Sequence, residues 1–228
     1  MKFRTEISIR PTSKNLIDYK SKILLFGSCF TENIGSKLDY FRFDNCVNPF
    51  GILFHPKGIE TFLSNCINEK IYTEEDIFFH NERWHCFEAH SDLSASTKEV
   101  LLDQLNSNIQ LTFKYLNNAT HIVITLGTSW TYRHISSDNI VANCHKVPQK
   151  KFLKELLSVE DITASLENIN TLVKSVNPKI NITYTVSPVR HLKDGFTENS
   201  LSKAHLLSAI HQVAEPRKQI HYFPSYEI

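Results

Sequence analysis

Glycine is scarce in this sequence, at 6 of 228 residues, and proline reaches only 8. With no low-complexity tract, these counts exclude collagen-like and linker-type chains. Charge of one sign is also lacking. Lys and Arg total 25 against 24 Asp and Glu, a net of +1. A dedicated nucleic-acid binder carries a strong basic excess, so no nucleic-acid partner is expected. No apolar stretch approaches the roughly 18 residues that span a bilayer, so no membrane partner is expected either. The five cysteines, Cys29, Cys46, Cys66, Cys86 and Cys144, are odd in number and form no C-x-x-C pair. That is neither a disulfide framework nor a zinc knuckle, and free thiols in a reducing compartment are the simpler reading. Met1-Lys2-Phe3-Arg4-Thr5-Glu6 lacks the apolar core of a signal peptide. A soluble, cytoplasmic protein is the expectation.

Apolar material is plentiful. The chain is 41% hydrophobic and 11% aromatic, which with its low net charge excludes disorder. It is enough for one sizeable core, and we expect one domain over residues 1–228. Lys22-Ile23-Leu24-Leu25-Phe26, His121-Ile122-Val123-Ile124-Thr125-Leu126 and Asn181-Ile182-Thr183-Tyr184-Thr185-Val186 are short apolar runs stopped by glycine or Ser-Pro. His221-Tyr222-Phe223 is a weaker fourth. Such runs predict buried strands of a parallel sheet. Helical spacing lies between them, in Leu101, Leu105, Ile109, Phe113 and Leu116, in Phe152, Leu156 and Leu157, and in Leu166, Ile169, Leu172 and Val173. Alternating strands and helices predict a doubly wound α/β sheet. Residues 76–90 carry two aromatic-rich runs around Asn81-Glu82-Arg83 and predict a hairpin insertion above the sheet.

In such sheets sites form at the carboxyl ends of the strands. The first strand ends in Gly27-Ser28-Cys29-Phe30-Thr31, where Thr31 can cap a following helix. Ser28 then stands at a helix N-terminus, among unpaired N–H groups that a nucleophilic serine needs for its oxyanion. A plain turn is the alternative. Cys29 is a competing nucleophile, or a small buried residue. In Asn48-Pro49-Phe50-Gly51, the Gly51 N–H is an oxyanion donor or part of a Pro-containing turn. Gly127-Thr128-Ser129-Trp130 offers two hydroxyls and an indole N–H. Asn143-Cys144-His145-Lys146 is a site loop or a solvated connection, and Ser187-Pro188-Val189-Arg190-His191 ends the third strand. Eleven histidines are many for this length. His85 and His90 flank Cys86, yet no spacing matches a zinc signature. Neither a metal nor a cofactor is called for.

Taken together, Gly27-Ser28-Cys29-Phe30 resembles the motif that names the GSCFA domain family, with Thr31 in place of its final alanine. Asn48 to Gly51, Gly127 to Ser129, Val141 to Lys146, Thr185 to His191, Asn199, Ser202-Lys203 and Tyr222 to Ile228 also resemble family segments, in family order. The family resembles a branch of the SGNH/GDSL hydrolases. That resemblance implies a three-layer α/β/α fold with flavodoxin-like strand order, Ser28 as nucleophile and Gly51 as an oxyanion donor. Thr128 or Ser129 stands where those enzymes carry an asparagine donor. It further implies a base in a C-terminal Asp-x-x-His segment, a pattern that these 228 residues do not contain. The expectation is a chain lacking its base-bearing segment and last helix, leaving an apolar face that a homodimer would cover. A base elsewhere in the chain is the alternative, with His145 and His191 as candidates.

Three functions follow as expectations. The first is a serine esterase acting on a small or carbohydrate-linked ester, such as an acetyl ester, or an O-acyltransferase on the same scaffold. The second is an inactive binding module for a sugar or anion, using Asn143, His145, Lys146, Arg190 and His191 with Trp84 or Trp130. The third is a thiol enzyme using Cys29. On the first reading, Ser28→Ala removes activity and leaves thermal unfolding nearly unchanged.

Overall fold

A computed structural model describes residues 15–228 of the chain. The N-terminal hexapeptide read above lies outside the described residues. Three apolar runs form strands where their composition predicts: β1 (Lys22–Gly27), β5 (His121–Leu126) and β9 (Asn181–Val186). Two shorter strands complete the central sheet, β2 (Asp44–Val47) and β10 (Ile220–Phe223). The order is β10-β9-β5-β1-β2, with every neighbouring pair parallel. Counting only these strands along the chain, the order is 2-1-3-4-5, the flavodoxin-like arrangement.

Register builds the core. Leu24, Ile122 and Ile182 align across three strands, and Phe26, Ile124 and Tyr184 align two residues on. Side chains two apart share a face, so both rows bury on one side of the sheet. The helices are α1 (Cys29–Tyr40), α2 (Pro56–Ile67), α3 (Lys98–Asn118), α4 (Val159–Val176) and α5 (Phe196–Val213). The last four pack on one another in series, and α1 packs on β1 and β2 instead. Handedness explains the split. The β1-α1-β2 connection moves one way along the sheet and the later connections the other way. Right-handed crossovers therefore place α1 on the opposite face. The result is a three-layer α/β/α arrangement.

Helix starts follow local chemistry. α4 begins with a capping box: Ser158 Oγ accepts from Asp161 N, and Asp161 Oδ2 accepts from Ser158 N, at 3.0 and 3.1 Å. Thr31 does not cap α1. Ser28 does, its Oγ accepting from Phe30 N at 3.3 Å. Thr31 lies one turn in and donates its hydroxyl to Phe26 O.

Outside the central sheet, β3 (Phe78–His80) and β4 (Arg83–His85) pair as the expected hairpin. Asn81 and Glu82 both have positive φ, as a two-residue turn between antiparallel strands requires. A small antiparallel sheet follows β5, in the order β7-β6-β8, from β6 (Trp130–His134), β7 (Asn139–Val141) and β8 (Phe152–Leu156). The helical reading of Phe152, Leu156 and Leu157 is thus corrected. Phe152 and Leu156 lie in an edge strand that pairs with β6 over Trp130–His134, and this pairing overrides their i, i+4 spacing. Among the described residues, no helix is long and apolar enough to cross a membrane.

Candidate functional site

The strand order reverses between β1 and β5, and doubly wound sheets hold ligands at the carboxyl ends of the strands at such a switch point. Ser28 follows β1 and Gly127-Thr128 follows β5, so the two loops face each other there. Gly27 has φ +131. Its N–H donates to Asn48 Oδ1 at 2.9 Å, and Ser28 N donates to Thr125 O at 3.2 Å. Ser28 is fully buried. A Cβ built on Gly127 would lie 3.2 Å from the Phe54 ring and 3.5 Å from Ser28 Cβ. Phe54 and Ser28 thus converge on Gly127.

The second loop closes a turn in which Gly51 N donates to Asn48 O at 2.7 Å. Gly51 has φ +71 and packs under His90, whose Cβ would lie 2.4 Å from a Cβ at this position. Asn48 links both loops, and its buried Nδ2 has no partner. Sequence reasoning passed over Asn48 as a site residue. The signal was an asparagine one residue before the proline of that loop.

Thr128 and Ser129 are held by α5. Ser129 N donates to Ser202 Oγ at 2.8 Å, and its hydroxyl donates to Ser202 O at 3.0 Å. Thr128 Oγ1 hydrogen-bonds Ser202 Oγ at 3.1 Å and accepts from Trp130 N at 3.0 Å. Beside them Lys203 is buried, its Nζ donating to Gly127 O at 2.7 Å and Ser187 O at 2.9 Å. It ties the ends of β5 and β9 together. Burial pulls its pKa down to about 8. Between that value and the ordinary 10.5, the unfolded chain binds the proton that the folded chain has released, so stability rises with pH. Denaturation midpoints of wild type, relative to Lys203→Met, should therefore climb from pH 8 to 10. Parallel curves would overturn that assignment. Comparing the two proteins cancels the thiols that desolvation raises: half-buried Cys46 and Cys144 and buried Cys86, pushed up to about 11, 11 and 12, titrate alike in both.

The histidines divide by environment. His145 Nε2 donates to Cys86 O at 2.7 Å, and its ring sits among Phe78, His85 and Phe87. Burial holds its pKa near 4, so it is a neutral imidazole packed against the hairpin. His191 is exposed, and its ring meets Phe54 edge-on at 5.6 Å. Burial of part of the ring, then the Lys203 ammonium, keep it below its ordinary pKa. His90 also meets Phe54, and its Nδ1 lies 2.9 Å from Asp92 Oδ2. Arg190 is exposed, with its guanidinium over the Phe196 ring. Among the described residues, no group of three or more His, Cys, Asp or Glu is placed to hold a metal.

A cavity of about 420 Å³ opens beside Thr128, and Asn143, Lys146 and Trp130 line it. Ser28, Gly51, Arg190, His191 and Trp84 are not among its walls. The structure therefore gathers Ser28, Gly51 and Thr128 at the ends of three adjacent strands, sets Phe54 between them and His191, and places His145 in the hairpin cluster.

A parallel sheet ordered 2-1-3-4-5, with polar loops facing across its switch point, defines a flavodoxin-like α/β protein whose candidate site lies at the carboxyl edge. The chain belongs to the GSCFA family, whose sequence model matches residues 22–228. No curated protein and no solved structure matches it.

Proposed function

We propose that this protein is a serine esterase of the SGNH type, which removes an acyl group from a small or carbohydrate-linked ester through Ser28. The observation that supports it best is the placement of Ser28 at the switch point, on the N-terminus of α1 and opposite Thr128. Ser28 Oγ attacks the ester carbonyl carbon and gives its proton to an imidazole. The tetrahedral intermediate expels the alcohol, which takes that proton, and water then releases the acyl group by the same route. His191 is the favoured imidazole, because it is solvent-accessible, touches Phe54 and stays neutral near pH 7. An acceptor alcohol in place of water would make the same chemistry an acyl transfer.

The developing oxyanion needs donors that are not already spent. Ser28 N and Gly51 N are engaged with Thr125 O and Asn48 O. Asn48 Nδ2 is buried and unpaired, and we assign it the oxyanion. Asn48→Asp keeps an oxygen for Gly27 N and removes the donor. It should slow Ser28 acylation by a factor on the order of 100. An unchanged rate removes Asn48 from the role.

Complete burial of Ser28 favours a second reading, a non-catalytic module that uses the adjoining cavity to bind a ligand. Fluorophosphonate labelling followed by intact mass separates the two. A single adduct on wild type supports the esterase, and a folded chain without an adduct supports the module.

A further inference from the structure

We propose that the cavity beside Thr128 binds a small amphiphilic ligand through its carboxylate or phosphate group, with the apolar part held on Trp130, Tyr132 and Phe152. Calling that ligand the substrate rests on the esterase reading, whereas the selectivity for an anion does not. At about 420 Å³ the cavity has the size of a small-molecule site. The three aromatic side chains come from β6 and β8, so the small sheet that follows β5 forms the apolar wall.

Charge is the second argument. The whole chain is nearly neutral, yet the ionisable side chains that line this cavity include Lys146 and Lys193 and no carboxylate. Neither lysine belongs to an ion pair among the described residues, whereas neighbouring Lys154 is neutralised by Asp194 at 2.5 Å. Lys193 is close enough to the lining thiol of Cys144 to oppose the rise in its pKa. Two unneutralised ammonium groups on one cavity repel each other, and an anionic oxygen between them relieves that repulsion with charge-assisted hydrogen bonds.

The loop that carries Lys146 is built for this position. His145 and Lys146 are consecutive non-glycine residues with φ of +47 and +58. Such backbone is costly and persists only where surrounding bonds over-determine it. Here Asn143 Oδ1 accepts from His145 N at 2.8 Å, Val147 N donates to Cys144 O at 2.9 Å, and His145 Nε2 donates to Cys86 O at 2.7 Å. His145 thus anchors the loop from below while the next residue lines the cavity.

The test uses unreactive probes, so it is independent of Ser28 chemistry. 3-Phenylpropionate, phenyl phosphate and the neutral 3-phenylpropanol are titrated by calorimetry into wild type and the Lys146→Gln/Lys193→Gln double variant. At least one anion should bind wild type ten times more tightly than the alcohol, and the double variant should lose that advantage. The tighter anion identifies the group as carboxylate or phosphate. Equal affinity for acids and alcohol, an advantage that survives in the double variant, or no binding of any probe at millimolar concentration would each overturn the proposal. Both lysines are exposed, so matched thermal unfolding serves as the folding control. Anion selectivity without fluorophosphonate labelling would leave this inference standing and remove the esterase.

Discussion

Ser28→Ala should abolish fluorophosphonate labelling and lower any ester hydrolysis by at least about a thousandfold. Loss of the nucleophile removes the acyl-enzyme route, and the remaining donors stabilise only direct attack by water. The variant is not silent in stability. Ser28 caps α1 through its bond from Phe30 N, and loss of such a cap costs about 1 kcal/mol. In a chain of this size that is a fall of about 2–4 °C in the melting temperature. The sequence expectation of nearly unchanged unfolding is revised accordingly. The structural reason is that the helix starts at Cys29 rather than after Thr31. Hydrolysis that persists undiminished in a folded Ser28→Ala protein would refute the esterase reading, and an unshifted melting temperature would refute the capping assignment.

Gly27→Ala should be the most damaging single substitution near the site. Its added Cβ would lie 2.0 Å from Thr125 O. That atom is backbone in the neighbouring strand and has no rotamer through which to yield. The positive φ adds a separate strain of about 1–3 kcal/mol, and forced displacement in a packed interior adds about as much again. A loss of about 4 kcal/mol is a large share of the stability of an ordinary domain and corresponds to a fall on the order of 10 °C. Thermal unfolding by circular dichroism checks this. A shift below about 2 °C would mean that the β1 and β5 ends separate easily, contrary to the hydrogen bond from Ser28 N to Thr125 O that joins them.

How much was legible follows burial. β1, β5 and β9 are buried on both faces, so their near-continuous apolar runs identify them directly. β2 was not, because Asp44-Asn45-Cys46-Val47 is a four-residue edge strand, exposed or half-buried throughout, without an apolar face of its own. β8 was misread for a related reason. An edge strand five residues long with apolar ends satisfies helical spacing by chance, and only its partner β6 distinguishes the two. α5 escaped notice because its buried face includes Asn199, Ser202 and Lys203. Ser202 and Lys203 there read as a solvated surface until Gly127, Ser129 and Ser187 are seen to receive them.

Membership of the GSCFA family and the parallel α/β class were in the sequence itself. Ordered motifs and doubly buried strands leave marks that one chain displays without its partners. Which groups meet was decided only by the tertiary structure. Hydrogen bonds between residues 73–76 positions apart hold Thr128 and Ser129 on Ser202 and place the Lys203 ammonium against Gly127 O. The two lysines of the cavity come from separate loops after β7 and β9. Side-chain chemistry at such separations leaves no periodicity along the chain, because it is the crossing of strands and helices that creates it.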